Sequence, residues 1–410
     1  MTIDTRKINK DEMYFSLKGD NFDGNVFAME AIEKGAKFSI VDDLEQKDIH
    51  DNIVYVENSL KALQDLSNHH RSLFDTKVIG ITGSNGKTTT KNLIYSILSQ
   101  KYNVIKTKGN LNNHIGVPLS LLNIKDDIDV AIIEMGANHV GEIKRLCEIA
   151  MPDIGLITNY GYAHLEGFGS FEGVIKGKTE MYEYLTENYG HIILNNDDKL
   201  QVENCKGDLA VTFGSNKDSE FIFDYKKDNS SLKLKIDGYE FNSNLFGEYN
   251  FSNLASSITI GKFLDLSNKE IQEGLNKFLN DSNRSEILIF DSNKIYLDAY
   301  NANPTSMLAA ISNFENININ NRVLILGDMF ELGKYSDQEH QKIVDFVTNK
   351  DYSKIYLVGD NFSKCNTDGE YFFKFSNTNE LAKSDSFKSL KNMNVLVKGS
   401  RGVSLEKLFK

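Results

Sequence analysis

The residues best suited to chemistry lie in the run Thr82-Gly83-Ser84-Asn85-Gly86-Lys87-Thr88-Thr89. A glycine-rich loop that ends in lysine and a hydroxyl is built for phosphate. Backbone N–H groups cradle anionic oxygens, the Lys87 amine can reach β- and γ-phosphates, and the Thr88 hydroxyl can ligate Mg²⁺. The spacing departs from the usual P-loop, whose first glycine falls where Ile81 stands. A glycine-rich turn that binds nothing is the plainer alternative.

Glu134 is the second candidate. It ends the apolar run Val130 to Ile133 and precedes Met135-Gly136. A carboxylate at the C-terminal end of a parallel strand beside a phosphate loop is placed to ligate a metal, although an acid at a strand end is otherwise just solvated. His164 lies in the segment Asn159 to Glu166 that follows another strand, so it falls on the same predicted face. A lone histidine there is more often structural. Lys178 sits inside the apolar stripe Phe171, Val174, Ile175, Tyr182 and Leu185. Periodicity alone favours a packed stem with the amine reaching out to water. The sharper reading is burial, which favours the neutral amine. A neutral amine can take up CO₂ and become a carbamate, which turns a cation into a metal-binding carboxylate. Asn112 and Asn113 belong to an amide-dense segment, Gly109 to Pro118, that suits a sugar or peptide as well as it suits a self-satisfied loop.

These residues need particular elements to hold them. Val78, Ile79 and Ile81 read as a buried strand, and Leu93, Ile94, Ile97 and Leu98 line one face of a helix that starts at Lys87. Val130 to Ile133 and Ile154 to Thr158 read as further strands, and Ser170 caps the helix carrying Lys178. The resulting organisation is an α/β chain of three domains. Residues 1–76 form a small N-terminal α/β domain, with strands at Met13 to Leu17, Phe38 to Val41 and Ile53 to Val56, and a helix capped by Ser59. Asp75 to Lys77 reads as the linker. Residues 77–282 form a central P-loop mononucleotide-binding α/β domain, with an Asp237-Gly238 hairpin and a helix capped by Asn250. Residues 283–410 form a C-terminal Rossmann-like α/β domain. Its strands at Arg322 to Leu326, Ile355 to Val358 and Val395 to Val397 alternate with helices and imply a parallel sheet. Asn303 caps a helix that Pro304 opens. No Gly-x-Gly-x-x-Gly fingerprint occurs, so a dinucleotide is not indicated.

Composition narrows the function classes. The 410 residues carry a net charge of −12, which argues against a general nucleic-acid binder. The three cysteines, Cys147, Cys205 and Cys365, have neither disulfide nor zinc spacing, and this favours a reducing cytoplasmic setting. No apolar run approaches membrane-spanning length, and the first residues lack the apolar stretch of a signal peptide.

Read together, several stretches carry a resemblance. They are Asp4-Thr5-Arg6, Thr82 to Thr89, Asn112 to Pro118, Glu134 to Ala137, Ala163 to Glu166, Lys178-Thr179-Glu180, Asn250 with Asn253, Tyr300 to Pro304, Gly327 to Gly333 and Lys398 to Arg401. In these the chain resembles the Mur ligase family over nearly its whole length. Within the family it is most similar to the type that joins D-alanyl-D-alanine to UDP-N-acetylmuramoyl-tripeptide in peptidoglycan precursor synthesis. The resemblance implies ATP as cofactor, two Mg²⁺ sites and an N6-carboxylysine at Lys178. It implies that Gly83, Ser84, Asn85, Gly86, Lys87, Thr88 and Thr89 hold the ATP phosphates. Asn250, Asn253, Arg284 and Asp298 would face the adenosine or the interdomain ATP contacts. Thr88 and Glu134 would bind the first metal, and His164 and Lys178 would serve the second; Lys87, Glu134, His164 and Lys178 make the catalytic set. Thr5, Arg6, Asn112 and Asn113 would meet the UDP-sugar or its peptide, and Asn301, Asn303, Ser400 and Arg401 the incoming dipeptide. A cytoplasmic monomer without nucleic-acid or membrane partners is expected. The sequence departs from the family's pattern at Tyr249, Leu297 and Thr179, where histidine, aspartate and glycine are common, and its N-terminus is short. The alternatives are a Mur or folylpolyglutamate-type ligase with a different amine, and a catalytically silent P-loop scaffold.

Overall fold

The computed structural model describes residues 1–226, 232–245, 247–279 and 286–409. Three α/β domains follow one another along the chain. Each strand run expected from β-branched and apolar residues pairs into a sheet, and the amphipathic helices cover the faces.

In the first domain the strands Met13–Phe15, Phe38–Val41 and Ile53–Tyr55 form a parallel sheet. The turn-rich segment after it folds into a small hairpin, Lys18–Gly19 with Phe22–Asp23. The helix Ser59–Ser72 is capped by Asn58, whose side chain accepts from Lys61 N–H; Ser59 is the first helical residue and not the cap expected from the sequence. This helix ties the domain to the next one. Gln64 donates to the His114 carbonyl at 3.0 Å, and Arg71 pairs with Asp153 at 3.0 Å. Lys77 is no linker residue, since it opens the first strand of the middle domain.

The middle domain is built on a parallel sheet of seven described strands. Its order is Phe221–Ile222, Ala210–Gly214, His191–Asn195, Ile154–Ile157, Lys77–Thr82, Val130–Glu134, Val104–Lys106. After Lys77–Thr82 the chain builds toward one edge, and after Ile154–Ile157 toward the other. The loops that leave these two neighbours therefore diverge and open a crevice at the sheet's C-terminal edge, the usual ligand position in such folds. Helices Lys87–Leu98, Phe251–Phe263 and Asn268–Lys277 bury Leu93, Ile97, Leu254 and Ile258 against one face. Helices Glu142–Ala150 and Phe171–Glu187 cover the other face with Leu146, Met181 and Leu185. The Asp237-Gly238 turn has positive φ at both residues (50° and 79°), which suits a tight hairpin between Lys233–Ile236 and Tyr239–Asn242.

The third domain carries six described strands in the order Glu286–Phe290, Asn293–Asp298, Asn394–Lys398, Arg322–Gly327, Lys354–Val358, Phe372–Phe375. All pairs are parallel except the first, an edge hairpin. Helix Pro304–Asn316 has the expected Asn303 cap, with Ser306 N–H donating to the Asn303 side chain at 2.9 Å. One buried apolar cluster runs from Val78 and Tyr182 of the middle domain to Met307 and Leu332 of the third, so the two pack as neighbours. No helix among the described residues is long and apolar enough to cross a membrane.

Candidate active site

The phosphate loop forms as the sequence predicts. The strand ends at Thr82, the loop turns, and the helix starts at Lys87. Gly83 and Gly86 take φ of 143° and 82°. A Cβ at Gly83 would lie 1.9 Å from Thr158 Oγ1, and one at Gly86 would lie 2.4 Å from Asn253 Oδ1. Glycine is thus required here by backbone angle and by space. Lys87 folds back on its own loop, with Nζ donating to the Gly83 carbonyl at 2.7 Å. The Thr158 hydroxyl and the Asn159 amide both donate to the Asn85 carbonyl, at 2.5 and 3.0 Å, and pin the loop across the crevice.

Glu134 stands beside this loop and is buried. The Thr88 hydroxyl donates to Glu134 Oε2 at 3.1 Å, and Asn112 Nδ2 donates to Oε1 at 2.9 Å. Lys91 Nζ lies 2.9 Å from Oε2. Burial pushes the Glu134 carboxyl up, but the charges of Lys91 and Lys87 and its hydrogen bonds outweigh burial and hold it below the usual carboxylate range. Lys91 is a participant that the sequence reading missed. The signal was available: Lys91 stands one helical turn after Lys87, on the face that meets the neighbouring strand.

Lys178 does not reach water. It is 1% exposed, and its amine sits over the Phe168 ring, 5.4 Å from the centroid. Among the described residues it has no hydrogen-bond or ion-pair partner. Burial, and then the charge of Lys87, drive its pKa well below the ordinary lysine value, which favours the neutral amine. The snorkelling geometry favoured by periodicity fails because the helix Phe171–Glu187 is covered at this point by Phe168 and its neighbours, which closes the amine's route to water.

His164 takes a left-handed backbone (φ 54°), and its Nδ1 lies against the carboxylate of Glu331 from the third domain. Glu331 is also left-handed (φ 63°). The His164 contact holds the Glu331 carboxyl below its usual range. Glu166 N–H donates to the Glu331 carbonyl at 3.1 Å, so this is a two-point contact between domains. Glu331 was legible as part of the Gly327 to Gly333 stretch, but its partner was not.

A second domain contact forms at the loop itself. Asn303 Nδ2 donates to Asn85 Oδ1 at 2.7 Å, and Tyr162 N–H donates to Thr305 Oγ1 at 3.0 Å. Asn303 therefore touches the phosphate loop, although the resemblance placed it near the incoming dipeptide. Asn250 and Asn253 are buried behind the loop. Asn253 Nδ2 donates to Asn250 Oδ1, and Thr90 donates to Asn253 Oδ1 at 3.1 Å. Asn250 starts the helix Phe251–Phe263 without a side-chain capping bond, because a 3-10 turn, Glu248–Asn250, already leads into it. Asp298 pairs with Lys398 at 2.6 Å, and Lys398 also donates to the Asn301 carbonyl at 3.3 Å. The Ser400 hydroxyl accepts from Phe330 N–H at 3.0 Å, and Arg401 stacks over Tyr300.

Most of these groups converge on one cavity of about 1040 Å³. Its wall runs from Gln64 of the first domain, through Asn112, Asn113, Glu134 and residues 84–89, to Asp298, Asn301 and Glu331 of the third. Thr5, Arg6, Gly83, Lys178, Asn303, Ser400 and Arg401 are not in that wall. Thr5 donates to Glu30 at 3.2 Å, and Arg6 is paired with Asp4 in the first domain, apart from the cavity. Arg284 lies outside the described residues. Thr179, where the pattern has glycine, bonds Tyr160 at 2.8 Å. Among the described residues, no three His, Cys, Asp or Glu side chains converge as a preformed metal cage. A hydroxyl and one carboxylate fit Mg²⁺ that arrives with nucleotide phosphates and keeps its own waters.

Known proteins share this three-domain architecture. The chain matches the family descriptions "Mur ligase family, catalytic domain" over residues 1–71, "Mur ligase middle domain" over 81–261 and "Mur ligase, glutamate ligase domain" over 283–401. It is 32% identical over 423 residues to the UDP-N-acetylmuramoyl-tripeptide--D-alanyl-D-alanine ligase of Bacillus subtilis (strain 168), covering 100% of this chain and 92% of that one. A crystal structure of MurF from Acinetobacter baumannii superposes with a TM-score of 0.90 at 28% identity, over 99% of this chain and 91% of that chain. MurF ligase from Thermotoga maritima in complex with ADP superposes with a TM-score of 0.87 at 26% identity, over 99% and 95%. The chain belongs to the Mur ligase family.

Proposed function

We propose that this Mur ligase is the ATP-dependent enzyme that adds D-alanyl-D-alanine to UDP-N-acetylmuramoyl-tripeptide in peptidoglycan precursor synthesis. The observation that carries the reading is a cavity walled by residues of all three domains, with the phosphate loop in that wall. Three substrates need that room, and its volume is at or above the upper end for one drug-sized ligand. We divide the domains at 76/77 and 282/283; the second boundary falls inside residues 280–285, which are not described.

A carboxylate does not react with an amine directly, because oxide is a poor leaving group. ATP phosphorylates the peptide's terminal carboxylate to an acyl phosphate, and attack by the dipeptide amine then expels phosphate. The loop from Gly83 to Thr89 holds the nucleotide phosphates through N–H groups at the helix N-terminus. Lys87 leaves its carbonyl perches and pairs with the phosphate that is transferred. Thr88 and Glu134 would hold one Mg²⁺, which would supply positive charge against the developing phosphate charge. Lys178, once carbamylated, and His164 would serve a second. The buried Lys178 amine, which burial pushes toward the neutral form, would take up CO₂ with release of a proton, and the carbamate would supply an anionic metal ligand. Asn250, Asn253, Arg284 and Asp298 face the nucleoside, Asn112 and Asn113 the peptide, and Thr5 and Arg6 the UDP end. Asn301, Ser400 and Arg401 stand nearest the dipeptide. The contacts His164–Glu331 and Asn85–Asn303 close the third domain over the loop and exclude water from the acyl phosphate. One chain supplies every named residue, so a monomer suffices, working in the cytoplasm with ATP.

The test is phosphate release resolved by substrate. Turnover is expected with UDP-N-acetylmuramoyl-tripeptide and D-alanyl-D-alanine together. Turnover with a single amino acid but not the dipeptide would overturn the amine assignment. Lys87→Ala is expected to abolish release, and an active variant would reject the phosphate-loop assignment.

A further inference from the structure

The contacts around Glu134 hold a consequence for Lys91. Its Nζ lies 2.9 Å from Glu134 Oε2, and both side chains are at most 3% exposed. The same oxygen accepts from the Thr88 hydroxyl at 3.1 Å, the other oxygen accepts from Asn112 at 2.9 Å, and the Glu134 N–H donates to Thr107 Oγ1 at 3.0 Å. Lys91 is itself held by the Gly109 carbonyl at 3.2 Å. The carboxylate is therefore fixed by partners on both oxygens, and its charge is balanced from within the protein. The oxygen taken by Lys91 is also the one nearest Thr88, where a metal held by Thr88 and Glu134 must bind.

We propose that Lys91 is a positioning residue: a built-in cation that stands in for the divalent metal at Glu134, keeps the carboxylate aimed at the phosphate loop when no metal is present, and competes with the metal for Oε2. Without Lys91, a nucleotide that enters before the metal would bring its phosphates against a buried, unbalanced carboxylate. Like charges at a few ångströms in a poorly solvated site repel strongly. With Lys91, that encounter is nearly neutral and the loop accepts nucleotide with or without metal. The inference rests on the phosphate-loop and metal reading above, and its test separates the two.

The experiment is ADP binding by calorimetry, with and without saturating Mg²⁺, in the full-length wild type, Lys91→Met and Lys91→Arg. In wild type, Mg²⁺ is expected to change ADP affinity only modestly. In Lys91→Met, metal-free ADP is expected to bind at least about tenfold more weakly, while Mg²⁺·ADP stays within about threefold of wild type. The ratio between the two conditions is the readout, and a purely structural role would lower both together. Lys91→Arg keeps the charge and is expected to keep the wild-type ratio. Should Lys91→Met fold poorly, the double variant Lys91→Met/Glu134→Gln removes both charges and is expected to recover stability and weak metal dependence. Equal losses with and without Mg²⁺ in Lys91→Met would overturn the proposal. Wild-type protein that binds no ADP at all would instead overturn the phosphate-loop reading.

Discussion

Two lysines sink into the helices beside the phosphate loop, and their surroundings are opposite. Lys91, in Lys87–Leu98, meets the Glu134 carboxylate and the Gly109 carbonyl. Lys178, in Phe171–Glu187, meets an aromatic ring and, among the described residues, no hydrogen-bond or ion-pair partner. Burying an ammonium without an anion costs several kcal/mol, so such a group deprotonates or is modified. The paired lysine has its anion beside it and lowers the pKa of that neighbour. The unpaired one is pushed toward the neutral amine by burial. A buried lysine thus has two quite different uses, and the anion beside it decides which.

The comparison breaks most sharply if each lysine is replaced by methionine, which keeps the stem and removes the amine. Lys178→Met is expected to lose turnover by about a thousandfold or more, the scale of removing a key electrostatic group from an active site. Its stability should be unchanged or higher. The sign follows from the lowered pKa: between the folded and unfolded values the unfolded chain binds a proton that the folded amine does not, so the bare amine costs folding free energy that methionine does not. Mass spectrometry of the native protein in bicarbonate should show the added CO₂ at Lys178, and a bare amine there would count against the carbamate. Lys91→Met should behave in the opposite way, losing about 3–5 kcal/mol because Glu134 is left buried and uncompensated. Denaturant melts of the two variants side by side would decide the matter. Equal stability losses would mean that the two surroundings are not different in kind.

A smaller effect is expected where the third domain meets this site. Glu331→Gln removes the charge that pairs with His164, and the pair is partly solvated, so the cost should be about 1 kcal/mol or less. Because the Glu331 carboxyl is held below its ordinary 4.5, its contribution is present above that pH and disappears as pH falls through the folded value. The glutamine variant should lack this acid-dependent loss. Its main effect should appear in KM for the dipeptide, and an unchanged KM would show that the contact does not govern closure.

Local signals made much of this legible. The strand–loop–helix at Thr82 to Thr89, the Asn303-Pro304 helix start and the Asp237-Gly238 hairpin depend on neighbours in sequence, and all three form. The position of Glu134 beside the loop was legible too, because an apolar strand ending in an acid has few other places to go in a parallel sheet. What was not legible depends on distant partners. Glu134 and Lys91 meet across two strands' worth of intervening chain, and Asn303 reaches Asn85 across more than half the molecule. Periodicity told that Lys178 lies on the packed face but not whether its tip emerges, since that is settled by Phe168 on another element. Asn58 displaced Ser59 as a helix cap because both residue types cap well and sequence alone does not rank adjacent candidates.

His340 sharpens the comparison from a third side. It is a fully buried base with no need of an anion, because it is neutral and both ring nitrogens are satisfied. Met329 N–H donates to Nε2 at 2.9 Å, which leaves the proton on Nδ1 to donate to the Ser336 carbonyl at 2.7 Å. Burial is the main force holding its pKa below 6.5, against the Ser336 carbonyl and the nearby carboxylates of Asp328, Asp337 and Glu339. The unfolded chain therefore takes up a proton below about pH 6.5 that the folded chain refuses, and stability falls as pH drops from there toward the folded value. The slope from this one group is at most about 1.4 kcal/mol per pH unit. His340→Gln should be less stable at pH 7.5, because Gln does not reproduce both hydrogen bonds, yet it should lose less between pH 6.5 and 5. Parallel curves for the two proteins would mean that His340 already tolerates a proton in place, with Asp328, 3.8 Å from Nε2, acting as its anion. It would then belong with Lys91 and not between the two lysines.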